Sequence, residues 1–332
     1  IKGVFVAANG YNIDAAGIPR GAVITMVNKT AIANLDDFIA QVGTLPDGQR
    51  ITLRYFTMED PRRSQLKSVF VDRRWFQARR CDRDDGAGLW NCTDLPPVAT
   101  AAAPEAGSAR YPKYGDRNIE RIAPSLVGVT FDMPYAVSGV TERNYRGAGV
   151  IIDAARGLVI TDRNTVPVSP GDARLTFAGS LEIPAKVVYV HPLHNLAVLQ
   201  YDPKIIGDTP VVAASLSTEP MRPGESVAVI GLNAGGDLQS RTTTVAEVNP
   251  LMLPLSRTVQ FRDANIEVAS LVNPPDDLAG VLADKSGRVR GLWAGFATDN
   301  GRELVQESRG IPADLVAETL QIVRSKNDLR SL

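Results

Sequence analysis

The chain has 332 residues, of which 44% are hydrophobic, and its 36 basic and 37 acidic residues give a formal net charge of −1. A chain of this length can bury at least two hydrophobic cores, and length alone predicts about two domains. The balanced charge provides no overall field for nucleic acid, and no apolar run approaches the roughly 20 residues of a membrane span. We therefore expect a soluble globular protein that binds no nucleic acid and does not span a membrane.

Residues 1–75 alternate short apolar strands with one helix: "GVFVAA", "GAVITMV", "NLDDFIAQVGTL", "QRITLRYF" and "LKSVFVD". Asn34 is a good N-cap for the helix, and Asp36 and Asp37 suit its first turn. The apolar residues of this helix share one face: Leu35, Phe38, Ile39 and Val42. The pattern predicts a helix that packs on a small sheet.

The two cysteines, Cys81 and Cys92, enclose the segment "CDRDDGAGLWNC". Its centre, Asp85-Gly86, is typical of a turn between two short extended arms, and a hairpin would bring the two thiols to disulfide distance. The alternative is a pair of reduced, unrelated thiols, because only an oxidising compartment maintains such a bond. Neither a metal site nor a cofactor is predicted, since a zinc site needs further Cys or His residues nearby.

A segment poor in apolar side chains, "PPVATAAAPEAGSARYP", follows the cysteines. Its Pro, Ala, Ser and Gly residues have little to bury, so 76–112 is predicted to be a Cys-containing extension and a linker. A partly ordered linker is favoured over an ordered crossing of the surface, although Pro-rich segments also pack in extended form.

Residues 113–311 contain many short apolar runs, among them "SLVGVTFD", "GAGVIID", "GLVITD", "ESVAVIG" and "RVRGLWAGF". Strands at such regular spacing between turn signals predict a sandwich or barrel. The last part, 312–332, is predicted to contain a helix from Pro312 to Arg324. Its apolar face consists of Leu315, Val316, Leu320 and Val323.

The first 70 residues resemble the PDZ domain of HtrA/Deg proteins, in the order of strands and helix around "AGIPRGAVITMVN" and in the run "AQVGTLPDGQRITL". The resemblance implies a groove for polypeptide segments or C-terminal peptides, with Phe38 and Gln41 as peptide-binding residues. In that family the loop that receives the peptide carboxylate precedes the segment matching "GVFVAA". Most of that loop would lie upstream of Ile1, so we expect an incomplete peptide site.

The second region resembles the protease domain of HtrA/Deg serine proteases over nearly its whole length. The match is ordered and rests on "GAGVIIDAARGLVIT", "IPAKVVYVHPLHNLAVLQY", "MRPGESVAVIGLNAGG" and "AGVLADKSGRVRGLWAGF". It implies a chymotrypsin-like pair of β-barrels. The predicted fold class is therefore mainly β, with a PDZ domain followed by a chymotrypsin-like double β-barrel and a C-terminal helix.

The resemblance also assigns the positions at which the family carries its catalytic residues. Asn164 stands where the family has His in T-N-N-H-V, and Asn195 stands where it has Asp in D-x-x-x-D-L-A-L-L. The nucleophile of G-N-S-G-G corresponds to Leu278 when "GVLADKSG" anchors the match, and to Asp277 when the match is anchored from the other side. Asp276 then occupies the oxyanion loop.

These residues predict that the domain does not cut peptide bonds. An amide accepts no proton near neutral pH, and an amide at the Asp position favours the wrong tautomer of a histidine. Neither Leu nor Asp provides a hydroxyl or thiol, and a carboxylate in the oxyanion loop repels the developing charge. We therefore expect this region to have the fold of a protease domain without its catalytic residues.

Two other constellations are weaker candidates for chemistry. His191 and His194 have the spacing of a metal pair or of a new base, but no Cys and no acidic cluster lies beside them in sequence, so turn or surface histidines are favoured. Asp276 and Asp277 could act as paired carboxylates, but adjacent residues in a loop preceded by prolines usually point apart, so a solvated turn is favoured.

The order of a PDZ domain before a degenerate protease domain resembles the middle section of long, duplicated HtrA/Deg-like proteins. It implies a non-catalytic scaffold whose partners are polypeptide segments, other domains of the same protein or further copies of the chain. The alternative is the regulatory half of an active serine endopeptidase of protein quality control whose triad lies upstream of Ile1. A new hydrolase is the weakest hypothesis. The Ala- and Arg-rich composition and the cysteine pair favour a location in the bacterial periplasm. The alternative is a nuclear or plastid location if the source is eukaryotic.

Overall fold

A computed structural model describes residues 2–98, 106–135, 143–251, 267–299 and 304–325, without the side chains of 297–299 and 304–306. The chain divides into two compact units, Ile1–Ala103 and Pro104–Leu332. No helix in these described ranges is long and apolar enough to cross a membrane.

The first unit is built on a five-stranded antiparallel sheet with two helices. The sheet has the order β1-β2-β4-β5, and β3 pairs with β2. The elements are β1 (Val4–Phe5), α1 (Tyr11–Ala15), β2 (Ala22–Val27), β3 (Thr30–Ala31), α2 (Leu35–Val42), β4 (Arg50–Thr57) and β5 (Asp60–Phe70). Alternate residues of the central strands, such as Leu53 and Tyr55, are buried in one apolar cluster, as expected for a sheet with one covered face. The predicted strands and the predicted helix, α2, follow one another in the expected order, and α1 and β3 are elements that the sequence analysis did not predict.

Helix α2 begins as its capping residues predict. The Asn34 side chain accepts the N–H of Asp37 at 2.9 Å, and the Asp37 carboxylate accepts the N–H of Ala33 at 2.9 Å, so two otherwise unpaired donors are satisfied. Phe38 and Val42, one turn apart, pack against the sheet. Leu35, which the periodicity assigned to the same face, is 46% exposed because the helix meets the core only through its later turn.

A two-stranded hairpin follows this sheet. It consists of β6 (Arg79–Asp84) and β7 (Leu89–Asp94), joined by the predicted turn at Asp85 and Gly86. Cys81 and Cys92 are directly opposite each other in the ladder and are joined by a disulfide bond.

The second unit contains two closed six-stranded barrels, with the orders β10-β13-β12-β11-β8-β9 and β14-β15-β16-β19-β18-β17. Its elements are α3 (Arg117–Ile122), β8 (Leu126–Asp132), β9 (Asn144–Asp153), β10 (Leu158–Thr161), β11 (Asp172–Phe177), β12 (Leu181–Val190), β13 (Ala197–Gln200), β14 (Ser226–Leu232), β15 (Leu238–Pro250), β16 (Glu267–Leu271), β17 (Ala279–Ala283), β18 (Val289–Asp299), β19 (Leu304–Pro312) and α4 (Ala313–Ser325). The predicted fold class is confirmed: the chain is mainly β and carries a chymotrypsin-like double barrel with a C-terminal helix.

Each barrel is filled by side chains that alternate along its strands. Phe131 and Leu175 lie in the first barrel and Trp293 lies in the second, and all three are fully buried. A third cluster joins both barrels, since Val150 of β9 and Ile230 of β14 belong to it. This shared cluster positions the two barrels against each other.

Strand β10 is placed by Gly157, the first residue of "GLVITDRNTV". Its φ of +66° lies in the left-handed region, and a Cβ at this position would lie 2.2 Å from the carbonyl oxygen of Tyr201. The Gly157 carbonyl accepts the Tyr201 N–H at 3.0 Å. Only glycine allows this close approach, which brings β10 beside β13.

Part of the predicted linker packs on the second unit. The N–H of Gly107 donates to the Ile205 carbonyl at 3.1 Å, and the N–H of Ala109 donates to the Thr209 hydroxyl at 2.9 Å. The small residues permit this contact, because a Cβ on Gly107 would lie 2.9 Å from the Leu181 side chain. Residues 106–112 therefore cross the surface in ordered form, whereas 99–105 lie outside the described residues.

Helix α4 closes the second unit one residue later than the predicted start. Val316, Leu320 and Val323 are buried in the cluster that joins the barrels, and Leu315 is half-buried against it. Arg324 in the last turn forms an ion pair with Asp153 at the end of β9, at 2.6 Å. The predicted apolar face of this helix thus packs on the double barrel.

Candidate functional site

The turn after β10 is organised by Asp162. Its Oδ1 accepts the N–H of Thr165 at 2.7 Å, and its main-chain carbonyl accepts the N–H groups of Thr165 and Val166 at 3.2 and 3.0 Å. The sequence "DRNT" has the spacing of such a turn, in which a short carboxylate bonds to a nearby backbone N–H. Asn164 is exposed at the outside of this turn.

Asn195 lies two residues before β13 and is 5% exposed. Its Oδ1 accepts the N–H of Arg163 at 2.8 Å, and its Nδ2 donates to the carbonyl oxygen of Gly295 at 2.8 Å. The amide therefore uses one acceptor and one donor, each with a backbone partner. Its donor is the group that an Asp at this position does not have.

The carboxylate of Asp162 reaches the same glycine. Its Oδ2 accepts the N–H of Gly295 at 3.0 Å. Both backbone polar groups of Gly295 in β18 are therefore bonded to side chains of the first barrel. Burial raises the pKa of Asp162, and the hydrogen bonds from Thr165 and Gly295 act in the opposite direction. No local sequence pattern marks Asp162 for this contact, because its partner is 133 positions away along the chain.

The loop before β17 contains Leu278 and Asp277, the two residues that the resemblance assigns to the position of the family's nucleophile. Leu278 is 4% exposed and packs with Trp293 inside the second barrel. Its N–H donates to the Pro275 carbonyl at 3.3 Å, and the same carbonyl accepts the indole N–H of Trp293 at 3.3 Å. The loop enters with Asn273 at a φ of +50°. The Leu278 side chain is thus part of the apolar core of the second barrel.

The two carboxylates of this loop differ from Leu278 in their exposure to solvent. Asp276 and Asp277 are both exposed, and Asp277 forms an ion pair with Arg241 at 2.9 Å. The two alternatives for the nucleophile position therefore differ in kind: Leu278 belongs to the core, and Asp277 belongs to the surface. Neither provides a hydroxyl or a thiol.

A cleft with a volume of about 1070 Å³ brings most of these residues together. Asn164 and Asp162 line it from the first barrel, and Asp276, Asp277 and Leu278 line it from the second. Asn195 is not among the lining residues, because it lies behind the turn and contacts Gly295 from the protein side. Of the residues predicted from the resemblance, Asn164, Asp276, Asp277 and Leu278 therefore line one cleft, and Asn195 does not.

The pair His191 and His194 is a structural part of a turn. The Nδ1 atom of His191 accepts the N–H groups of Leu193 and His194 at 3.1 and 2.9 Å, which assigns its proton to Nε2. The rings of the two histidines stack with centroids 4.4 Å apart. Within the described ranges, no group of three or more His, Cys, Asp or Glu side chains is arranged to hold a metal ion.

The environment of His191 opposes its charged form. The residue is 8% exposed, and burial lowers its pKa to about 4, with His194 and Arg163 adding repulsion. Burial also lowers the pKa of His194, partly offset by Glu318 of α4. The neutral imidazole, which accepts two backbone N–H groups at Nδ1, therefore stabilises the turn.

The peptide-binding residues predicted for the first unit lie on α2. Phe38 is half-buried and packs against the core of that unit, and Gln41 is half-buried one turn later. Strand β1 stands at the end of the sheet order, with β2 on one side. Within the described residues no strand pairs with the other side of β1, where an extended peptide adds in strand-addition recognition.

Comparison with known proteins gives one family model and several relatives. Residues 147–292 match the model of the trypsin-like peptidase domain. A PDZ domain-containing protein of Schizosaccharomyces pombe is 31% identical over 98% of this chain and 33% of its own length. A protein of Yarrowia lipolytica named pro-apoptotic serine protease is 29% identical over 98% of this chain and 35% of its own length.

The chain thus spans about a third of the length of these curated relatives. Both are fungal, which agrees with the eukaryotic alternative for the location and does not support the periplasm. Among solved structures, the HtrA-type protease AlgW with a tripeptide is 20% identical over 63% of each chain, with a TM-score of 0.47. The Rv3671c protease of M. tuberculosis in an inactive form is 20% identical over 64% of this chain and 97% of its own, with a TM-score of 0.44.

Proposed function

Because the chain is a relative of the HtrA/Deg family of serine proteases, we propose that its double barrel is a non-catalytic protease-like domain that binds polypeptide without cleaving it. The observation that carries the proposal is the burial of Leu278 where the family has its nucleophile. A side chain that contributes to the core of the second barrel cannot exchange places with a reactive group without a cost in stability. The position is therefore used for packing.

The two amides support the same proposal. Asn164 has no basic nitrogen with which to take a proton from a hydroxyl. The Asn195 amide donates its hydrogen bond to the Gly295 carbonyl. In an active triad, a carboxylate at the position of Asn195 orients a histidine and stabilises its cation. Here the amide instead joins the first barrel to β18, so this position now serves the packing of the two barrels.

The backbone of the oxyanion loop also forms a hydrogen bond within the loop itself. The N–H of Leu278 donates to Pro275, so this donor does not face the cleft. Removal of one oxyanion donor costs on the order of 10²- to 10³-fold in turnover, and loss of a triad costs on the order of 10⁶-fold. Residual hydrolysis at this cleft is thus expected to be indistinguishable from background.

A labelling experiment tests the absence of catalysis. The chain is incubated with a fluorophosphonate probe and, separately, with casein, with trypsin as the positive control. We expect neither labelling nor cleavage over hours. Covalent labelling that maps to any serine or threonine of the cleft would overturn the proposal, and so would cleavage that persists in the purified chain after treatment with other protease inhibitors.

For the first unit we propose peptide binding in the groove between β1 and α2. The support is the unpaired side of β1 within the described residues together with the partial exposure of Phe38 and Gln41 on α2. Because Phe38 also packs against the core, its substitution would confuse binding with stability. Gln41 is the better probe, since a larger charged side chain at this position blocks the groove without opening a cavity.

Binding is measured with a library of peptides that have free C-termini, by fluorescence polarisation. The strongest ligand is then tested against Gln41→Arg, with Ala40→Arg as the matched control, since Ala40 is exposed on another side of the same helix. We expect at least a tenfold loss of affinity in Gln41→Arg and an unchanged affinity in Ala40→Arg. Equal loss in both variants, or no binding by any peptide, would contradict the proposed groove.

A second function is favoured by the length of the relatives. The chain spans about a third of proteins that include a named serine protease, so the alternative is that it is the regulatory part of an active endopeptidase. The experiment compares this chain with the full-length protein in the same casein assay. Cleavage by the full-length protein alone supports the regulatory alternative, and no cleavage by either leaves the scaffold as the function.

A further inference from the structure

The hairpin β6–β7 has no hydrophobic core of its own. It forms a separate two-stranded sheet, and no residue of either strand is buried. A two-stranded hairpin without a covered face is marginally stable in water. The apolar cluster of the first unit also contains no residue of this hairpin. The hairpin must therefore be held by contacts between its own strands and by few others.

One face of the hairpin carries three cross-strand pairs of different strength. Arg79 and Asp94 form an exposed ion pair at 3.2 Å, Cys81 and Cys92 form the disulfide, and the Arg83 guanidinium lies 5.7 Å from the centre of the Trp90 ring. The ladder places the partners of each pair directly opposite each other. Exposed ion pairs and exposed cation–π contacts contribute little. The disulfide is the only strong link among the three.

The other face carries the attachment of the hairpin to α2. Arg80 forms ion pairs with Asp82 in its own strand and with Asp36 in the first turn of α2. All three side chains are substantially exposed to solvent, so this attachment is also weak and sensitive to salt. It holds the hairpin beside α2 only while the hairpin keeps its shape.

We propose that the Cys81–Cys92 bond is a reversible redox switch that controls whether the hairpin is formed and attached to α2. A dithiol reductant delivers two electrons and two protons: the sulfur–sulfur bond breaks, Cys81 and Cys92 become thiols, and the reductant becomes a cyclic disulfide. Without the bond, the two strands separate and Arg80 leaves Asp36. The bond is accessible to such a reductant, since Cys92 is exposed and Cys81 is partly exposed.

The turn of the hairpin makes the step reversible. The Asp84 carboxylate accepts the N–H groups of Gly86 and Ala87 at 2.9 and 3.0 Å, and the Asp84 carbonyl accepts the N–H of Gly88 at 2.8 Å. These local bonds do not depend on the disulfide. They keep the ends of the two arms close, so that the thiols meet again within the same chain when an oxidant is present.

Hydrogen exchange measured by mass spectrometry on the whole chain tests the switch, with and without dithiothreitol. We expect amide exchange in 79–94 to become at least tenfold faster in the reduced chain, exchange at the first turn of α2 to increase as well, and exchange in the barrels to stay unchanged. Reoxidation should restore the slow exchange. A Cys81→Ser, Cys92→Ser variant should behave as the reduced chain does and should not respond to dithiothreitol.

Three outcomes would overturn the proposal. The first is a disulfide that excess dithiothreitol does not reduce, as counted by alkylation of the thiols. The second is unchanged exchange in 79–94 after complete reduction, which would mean that the weak pairs suffice. The third is loss of protection throughout the first unit, which would mean that the bond holds the whole unit. An Arg80→Ala variant separates the attachment from the hairpin: oxidised, it should keep slow exchange in 79–94 and lose it only at α2.

Discussion

Asn195 donates a hydrogen bond from Nδ2 to the carbonyl oxygen of Gly295, at 2.8 Å, in a buried position between the two barrels. An ionised Asp at the same position would offer no donor to that carbonyl, so this contact depends on the amide. Restoring the carboxylate of the family should therefore damage the fold and not repair the site.

The Asn195→Asp variant is expected to lose stability in a pH-dependent way. An ionised carboxylate would face the Gly295 carbonyl and the nearby Asp162, so the pKa of the new group should be raised above its unfolded value. A raised pKa means that the stability of the variant is highest at low pH, where the protonated acid can donate to Gly295, and falls as pH rises through the folded pKa. The loss at pH 7 should be about 2–4 kcal/mol.

Urea unfolding of the wild type and of Asn195→Asp at pH 4.5, 6 and 7.5 provides the measurement. Asp276→Asn is the control, since Asp276 is exposed and its change should stay within about 0.5 kcal/mol. A difference between wild type and Asn195→Asp that does not grow with pH would mean that the Gly295 carbonyl tolerates the carboxylate.

Leu278 should behave as a core residue in stability measurements. Leu278→Ala removes buried methyl groups beside Trp293, and the cost of the resulting cavity is expected to be about 2–4 kcal/mol. Leu193→Ala, at a leucine that is 53% exposed, is the matched control and should change the unfolding free energy by less than about 0.5 kcal/mol. Similar small changes in both variants would show that the loop before β17 does not pack as described.

Reversion of all three degenerate positions should not restore proteolysis. The variant to test is Asn164→His, Asn195→Asp, Leu278→Ser. The other residues of the oxyanion loop are unchanged in it, so we expect the N–H of residue 278 still to donate to the Pro275 carbonyl. The new serine hydroxyl would also replace a side chain that points into the barrel. We expect no labelling by a fluorophosphonate probe in the folded fraction, as judged by circular dichroism. Labelling comparable with that of trypsin would mean that three substitutions alone separate the chain from an enzyme.

The parts of the fold that depend on local sequence could be predicted. Asn34 and the aspartates after it define the start of α2, and Asp85-Gly86 defines a hairpin turn, because capping and turn preferences act over a few residues. The assignment of Asn164, Asn195 and Leu278 or Asp277 to the catalytic positions rests on the resemblance alone and stays a prediction. The structure adds that Leu278 is buried and Asp277 is exposed.

What escaped prediction depends on contacts that are distant in sequence. Asp162 reads as an ordinary turn residue, and its second role appears only when β18 brings Gly295 to it. The sequence favoured turn or surface positions for His191, and its ring is in fact buried while it accepts two backbone N–H groups of the turn. No periodic pattern carries such information, because each contact joins a side chain to the backbone of another segment.

The buried imidazole of His191 leads to the last prediction, which concerns acid stability. Its pKa is lowered from 6.5 to about 4 in the folded chain, chiefly by burial, so between these two values the unfolded chain binds more protons than the folded one. The contribution of His191 to stability is therefore fully present above pH 6.5 and is lost as pH falls towards 4. One pKa unit corresponds to about 1.4 kcal/mol, which places the total loss at roughly 3.5 kcal/mol at most.

The matched variant is His191→Asn, whose Oδ1 can accept the same two N–H groups but does not titrate. Unfolding free energies of both proteins are measured at pH 7, 5.5 and 4.5. The wild type should lose more stability than His191→Asn over this range, and the difference between them isolates the histidine from other groups that titrate in both, such as Asp132, whose pKa is raised to about 6 by burial. Parallel pH profiles would mean that the pKa of His191 does not differ between the folded and the unfolded chain, and would contradict the prediction.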